Sequence, residues 1–351
     1  MVVLAFTDLN FACTDIAMVR PLTGAMGRSV GMEPRRAEAE AIGFLLAAGF
    51  SAMAFFSALE PLRVANRLSG RPLFVWRVYS EDGEAVEASN GMRIVVDAVF
   101  GAESPPTLIV CSGFEPARSE SRKTLAILRQ FSRAGVMLGA LDTGAHILAK
   151  AGLLEGVRVS MHWEAAPAFR EEFPQIEVTG ELFEVERRIF TCAGGTAALD
   201  LMLDRIGRQH GPALAAAVSE QFIHDRIRSS RDHQRMALSS RLKTTNAKVL
   251  SVVALMERHL EQPLDPGALA RQAGVTARQL ERLFKAALGV SPQRYYRDLR
   301  LMRARHLLRQ TDMPVLDIAM ATGFTSGSAL SRGYRDHFGA APSRDRHESP
   351  T

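Results

Sequence analysis

Two stretches fifty residues apart near the end of the chain are copies of one pattern. Arg282–Pro292 reads RLFKAALGVSP and Arg332–Pro342 reads RGYRDHFGAAP, so an Arg, an aromatic residue, a Gly and a Pro recur at a spacing of 50. Upstream, LARQAGV (Leu269–Val275) pairs with IAMATGF (Ile318–Phe324) at a spacing of 49. Each copy predicts a short helix, a turn closed by Gly274 or Gly323, and a second helix started by Thr276 or Ser326. Small Ala270 and Ala319 let the paired helices approach closely, and Leu280, Phe284, Leu330 and Tyr334 fall at helical spacing on an inward face. One such unit is a weak signal. Two in register, joined by the helical stretch SPQRYYRDLRLMRARHLLRQ, constrain this part of the chain to a duplicated helix-turn-helix.

That duplication has a geometry suited to duplex DNA. A connecting helix from Pro292 to Gln310 would be roughly 28 Å long at 1.5 Å per residue, close to the ~34 Å of one DNA turn, so two recognition helices could enter successive major grooves. Charge agrees. The chain has a formal net charge of +5, and Asn246–Thr351 holds 16 Lys and Arg against 10 Asp and Glu, while the residues before it hold 27 against 28. All the excess positive charge sits with the repeat, as a polyanion-binding segment requires.

The repeat resembles the DNA-binding domain of the AraC/XylS family of transcriptional regulators, over about Lys248–Arg346, and DIAMATGFTSGSALSRGYRDHFGAAPSRDR looks like that family's signature. The resemblance implies that the first recognition helix presents Ala277, Arg278, Glu281 and Arg282 to double-stranded DNA, and the second Gly327, Ser328, Ala329 and Arg332. Arg can read guanine bidentately. The small residues of the second helix suit contact with the phosphate backbone.

The preceding part of the chain reads differently. Apolar runs at Ala41–Phe50, Phe74–Tyr79, Arg93–Val96, Thr107–Phe114 and Gly135–Asp142 predict strands. Helices are expected at Ser51–Gly70, about Ser121–Arg133, about Ala145–Ala151 and through the long tract Thr196–Ile227. This alternation predicts an α/β fold, a flavodoxin-like parallel sheet covered on both faces, followed by an all-α domain. The expected limits are a 1–38 extension, an α/β domain at 39–228, a polar linker at 229–245 and the DNA-binding domain at 246–346.

Within the α/β part, LGALDTGAHILAKAGLL has the strand–turn–helix form that usually presents a nucleophile, but the exposed position is Asp142. With VRVSMHWE (Val157–Glu164), it resembles the ThiJ/PfpI branch of the class I glutamine-amidotransferase-like superfamily. By that resemblance Asp142 replaces the nucleophilic Cys, His162 matches the following His, and Glu60 in SALEPLR matches the acidic residue that faces the Cys. A carboxylate is a poor substitute for a thiolate in this chemistry, and neither Cys111 nor Cys192 lies at the turn. The expectation is a pocket without catalysis, built from Glu60, Asp142, Thr143, His162 and Trp163, able to take a small zwitterion or quaternary amine.

An amidotransferase-like domain joined to an AraC-type domain resembles the GlxA-like subgroup. ALEPLRVANRLSG, GALDTGA, HWE and TCAGGTAALDLML all look like that subgroup, which includes regulators of betaine, carnitine and arginine catabolism. The resemblance implies a cytoplasmic, effector-responsive activator with DNA, a small-molecule effector, RNA polymerase and a second copy of itself as partners. Two alternatives stay open: a bifunctional regulator retaining amidase- or hydratase-like activity, and a ligand-independent DNA-binding protein. Three scattered cysteines without CxxC spacing argue against a disulfide framework or zinc site. No cofactor or metal is expected, and no apolar run reaches membrane-spanning length.

Overall fold

The computed structural model describes residues 39–113, 121–311 and 313–346. The N-terminal extension, Cys13 and the Phe114 end of one expected strand lie outside them. The first half alternates strand and helix: β1 (Glu40–Leu46), α1 (Ala52–Ser69), β2 (Phe74–Ser80), β3 (Val86–Glu87), β4 (Arg93–Ile94), β5 (Ala98–Val99), β6 (Thr107–Cys111), α2 (Arg122–Arg133), β7 (Met137–Leu141), α3 (Gly144–Lys150), α4 (Ala166–Glu172), β8 (Phe183–Glu186), β9 (Ile189–Cys192), α5 (Ala197–His210) and α6 (Pro212–Gln221). Seven strands form one sheet in the order β5-β2-β1-β6-β7-β9-β8. All its pairings are parallel except β8 on β9.

The central strands β1, β6 and β7 are unbroken apolar runs because both faces of the sheet are covered. One core lies under α1, α5 and α6, with Phe44, Phe55, Leu62 and Met202. The other lies under α2, α3 and α4, with Leu108, Leu138, Leu148 and Phe169. The helix limits follow local chemistry. Ser51 accepts a hydrogen bond from the Ala54 N–H at the start of α1, Gly70 closes it in a left-handed conformation, and Ser121 caps α2 in the same way as Ser51.

Three expectations are corrected. Arg93–Val96 does not join the main sheet. Arg93 and Ile94 pair antiparallel with Val86 and Glu87 in a separate two-stranded ribbon, and Ala98–Val99 supplies the edge strand beside β2. The sheet is mixed, not wholly parallel, because Phe183–Glu186 runs back along β9. The tract to Ile227 is not helical throughout. Helix α6 ends at Gln221, and Ile223 takes φ 54°. The segment turns back because Asp200, fully buried on α5, needs partners. It is bonded by His224 Nε2 (3.0 Å), the Arg228 backbone N–H (2.7 Å) and Arg228 Nε (2.9 Å).

The polar stretch that follows packs onto the α/β half. Ser230 accepts a hydrogen bond from the Leu182 N–H, and the Gln234 amide donates to the carbonyls of Met161 (3.0 Å) and Glu181 (2.8 Å). Beyond it come α7 (Leu238–Leu242), α8 (Ala247–Arg258), α9 (Pro266–Gln272), α10 (Ala277–Leu288), α11 (Pro292–Gln310), α12 (Val315–Ala321), α13 (Gly327–Phe338) and α14 (Pro342–Asp345).

The duplication is visible in the coordinates. Thr276 and Ser326 cap α10 and α13 through their hydroxyls, the former in a full capping box with Gln279, and Gly289 and Gly339 end both helices in the same left-handed geometry. Each unit has its own core. One is built on Val252, Met256, Leu280 and Phe284, the other on Leu301, Leu308, Leu330 and Tyr334. Helix α11 links them over the expected residues. Asp345, 2% exposed, is gripped by Arg305 and Arg309 of α11 and by the Tyr334 hydroxyl of α13. One residue of the second core, Ala168, comes from α4 of the α/β half.

Candidate functional site

Strand β7 runs directly into Asp142, whose φ of 59° is the left-handed conformation that a sharp strand-to-helix turn requires. The surroundings fix it there. The Asp142 N–H donates to Cys192 O at 3.0 Å, and the Thr143 hydroxyl donates to Gly113 O. Gly144 opens α3 against β6 so tightly that a Cβ there would lie 2.3 Å from Val110 O, and a Cβ on Gly194 would lie 2.8 Å from Asp142 Cβ. The elbow therefore keeps the tight backbone of a nucleophile turn while holding a carboxyl.

That carboxyl is shifted toward neutrality. Burial, and secondarily the negative charge of Glu164, push Asp142 up to about 7, against the opposing pull of the Thr143 N–H. Neither described cysteine supplies an alternative nucleophile. Cys111 and Cys192 are both buried, and burial pushes their thiols well up, Cys192 to about 12.

Glu60 is engaged on its own helix, and it is not among the charges that act on Asp142. Its carboxylate accepts from Arg63 Nε (2.9 Å) and Nη2 (2.7 Å), one turn further along α1. The carboxylate that acts on Asp142 is Glu164, which was not among the expected residues although it completes the HWE stretch. His162, Trp163 and Glu164 are not on a strand. They form the irregular lead into α4, where His162 O accepts the N–H groups of Ala165 and Ala166. Burial lowers the His162 imidazole, partly opposed by Glu164. Trp163 is 39% exposed, with the Arg235 guanidinium 4.5 Å from its ring centroid. Glu164 is bonded to His306 Nε2 of α11 at 2.8 Å, and that bond holds its carboxyl below the usual range.

Beside the elbow is a narrow, part-open cleft at the seam between the two halves. Thr143, His146, Met161, Phe169 and Glu172 line it from the α/β side, and Gln310, the last residue of α11, lines it from the other. Glu172 bonds His146 Nε2 at 2.7 Å and pairs with Lys150, which together hold its carboxyl at about 2. Gln310 Oε1 is buried without a hydrogen-bond partner among the described residues. Of the five expected pocket residues only Thr143 lines this cavity. Asp142 precedes the lining residue Thr143, the His162 and Trp163 rings lie 5.5 Å apart just after the lining residue Met161, and Glu60 is bonded to Arg63 on α1. His146 stands four residues after Asp142 at helical spacing, a signal available in the sequence. Glu172 and Gln310 reach the site only through tertiary packing.

In the helical half, Ala277, Arg278, Glu281 and Arg282 all lie on the exposed face of α10. Ser328 and Arg332 are exposed on α13, with Gly327 and Ala329 half-buried beside them. Arg278, Arg282 and Arg332 form no salt bridge among the described residues. No described helix is long and apolar enough to cross a membrane.

The sequence as a whole aligns with known proteins in the same two parts. Residues 41–207 match the DJ-1/PfpI family and residues 269–348 match a helix-turn-helix domain family. The HTH-type transcriptional regulator CdhR of Pseudomonas aeruginosa is 50% identical over 308 residues, covering 88% of this chain and 91% of that one. The HTH-type transcriptional regulator GbdR of the same species is 46% identical, over 91% of this chain and 88% of its own. The HTH-type transcriptional regulator GlxA of Rhizobium meliloti is 38% identical, over 88% and 96%. Similarity of that degree along nearly the full length of both partners, together with the elbow and the doubled recognition unit, places the chain in the GlxA-like subgroup of AraC/XylS-type transcriptional regulators, with a DJ-1/PfpI half ahead of the tandem helix-turn-helix.

Proposed function

We propose that this regulator activates catabolic genes in response to a small nitrogenous metabolite, such as a betaine, carnitine or an amino acid, sensed at the elbow and its adjoining cavity. The observation that carries the reading is the pairing of a nucleophile-type turn bearing Asp142 with a seam cavity that α11 helps to line. A carboxyl at that turn cannot do thiolate chemistry, but Asp142 with the charge of Glu164 acting on it, and an exposed Trp163 one residue before Glu164, are a setting for a cationic group. Effector binding at the seam would favour one arrangement of the halves over another, which is how a ligand can shift DNA affinity without chemistry.

In this reading Arg278, Glu281 and Arg282 of α10, with Ser328 and Arg332 of α13, face base edges and phosphates, while Ala277, Gly327 and Ala329 permit close approach to the duplex. The protein works in the cytoplasm, pairs with a second copy on DNA and contacts RNA polymerase, and the α/β half is not an enzyme. The test is a thermal-shift screen of the full chain with betaines, carnitine, amino acids and polyamines, followed by footprinting with the hit. Asp142→Ala should abolish the shift and the effector response while leaving DNA binding intact. Turnover of an amide, aldehyde or isocyanide substrate that Asp142→Ala removes would overturn the reading.

A further inference from the structure

The exposed ring of Trp163 is covered by a cation that the protein itself supplies. Arg235 stacks over it at 4.5 Å from the centroid, a cation–π geometry. Its delivery is built into the backbone, because the neighbouring Gln234 is fastened to the carbonyls of Met161 and Glu181. Glu164, the residue after Trp163, bonds His306, whose ring lies 6.4 Å from that of Trp163, and Asp142 feels the charge of Glu164. An exposed aromatic face in a neighbourhood that holds a carboxylate attracts an alkylated ammonium ion, and the positive or ionisable neighbours His162, His306 and Arg309 complete the local charge set. In the chain alone that attraction is met by Arg235.

We propose that Arg235 fills the cation subsite of the effector pocket in the unliganded protein, so that an effector carrying an alkylated ammonium group binds Trp163 by displacing this guanidinium. The proposal rests on the sensing reading for the role of the pocket and adds the group with which the effector competes. Displacement has a mechanical consequence. Arg235 Nη1 also lies 3.6 Å from Glu257 on α8, so moving it loosens a link to the first helix-turn-helix unit. A cation arriving beside Glu164 competes with His306, the link to α11. One arrival therefore weakens two of the ties between the HWE stretch and the DNA-binding half.

The test uses the full chain carrying Trp76→Phe, which leaves Trp163 as its one tryptophan, and follows Trp163 fluorescence during titration with tetramethylammonium and with glycine betaine. Arg235→Gln should tighten both probes about fivefold, and Arg235→Lys less, because an ammonium still competes. Glu257→Gln, which removes the other carboxylate partner of Arg235 and also that of Arg241, should not tighten the probes, since Arg235 then stays on the ring; tightening by this variant as large as that by Arg235→Gln would overturn the proposal. Trp163→Leu should abolish probe binding measured by thermal shift. Probe binding by Arg235→Gln that is unchanged or weaker than in the parent, or absent from both at any concentration, overturns the proposal. If Arg235→Gln tightens the probes while Asp142→Ala leaves the effector response of DNA binding intact, the subsite stands and the sensing role of the elbow falls.

Discussion

Glu164 and His306 meet at 2.8 Å, the first on the lead into α4 and the second on the helix that joins the two helix-turn-helix units. The same carboxylate acts in two directions. It is held ionised by His306, and its charge raises Asp142 at the elbow. A single side chain is thus electrostatically coupled both to the proposed sensing residue and to the DNA-binding half.

Replacing Glu164 by Gln removes a negative charge from the neighbourhood of Asp142, which favours the ionised form. The Asp142 carboxyl, at about 7 in the parent, should then titrate lower in carbon-detected NMR. It should stay above the ordinary aspartate range because burial is the larger cause. An unchanged titration would break the proposed coupling.

Asp142 is pushed up to about 7 in the folded chain, well above the ordinary aspartate value of about 3.9. The folded chain therefore holds a proton that the unfolded chain has released, and stability falls as pH rises from about 4 through 7. Asp142→Asn keeps a residue that tolerates positive φ and removes the titration. Its advantage over the parent should be nearly absent near pH 4, grow to about 4 kcal/mol by pH 8 and level off there. Urea denaturation at the two pH values measures it.

Arg282→Ala should cost ~1–3 kcal/mol of specific DNA affinity and relax preference at one base, if the exposed face of α10 reads the major groove. Selection of binding sites from a random pool, run in parallel on parent and variant, checks this. An identical preferred site from both chains contradicts the assigned face.

Asp200→Ala leaves His224, Arg228 and its backbone N–H without their buried acceptor. Loss of one partner from such a network should destabilise the α/β half by about 3 kcal/mol, read from the denaturant midpoint. Hydrogen exchange should rise first at residues 222–230, which Asp200 draws back onto α5.

What the sequence made legible was whatever local chemistry decides. Ser51 and Gly70 bracket α1 because caps act within one turn, and the repeat set α9 to α13 because a copied pattern announces its own register. Two-residue strands such as Ala98–Val99 carry too little pattern to be read, and their pairing is imposed by Tyr79 and Ser80 across the sheet. The end of α6 was missed because nothing in PALAAAVSEQFIHDRIR declares that Asp200, more than twenty residues earlier, will recruit its tail. At the elbow, the turn and its Asp142 were readable, but the charge that acts on Asp142 was not. Glu60 is bonded to Arg63 one turn along its own helix, whereas Glu164 gains its setting only by meeting His306 from the other half.

Ala168 belongs by chain position to the α/β half and by packing to the core of the second helix-turn-helix unit. The second helix-turn-helix core is therefore completed by a residue that the DNA-binding half does not itself carry. A transplant must bring a small residue to fill the place of Ala168, or accept an uncovered apolar seat beside Leu301 and Leu308. Swapped onto another receiver, this reader of DNA would carry the imprint of the sensor it grew with.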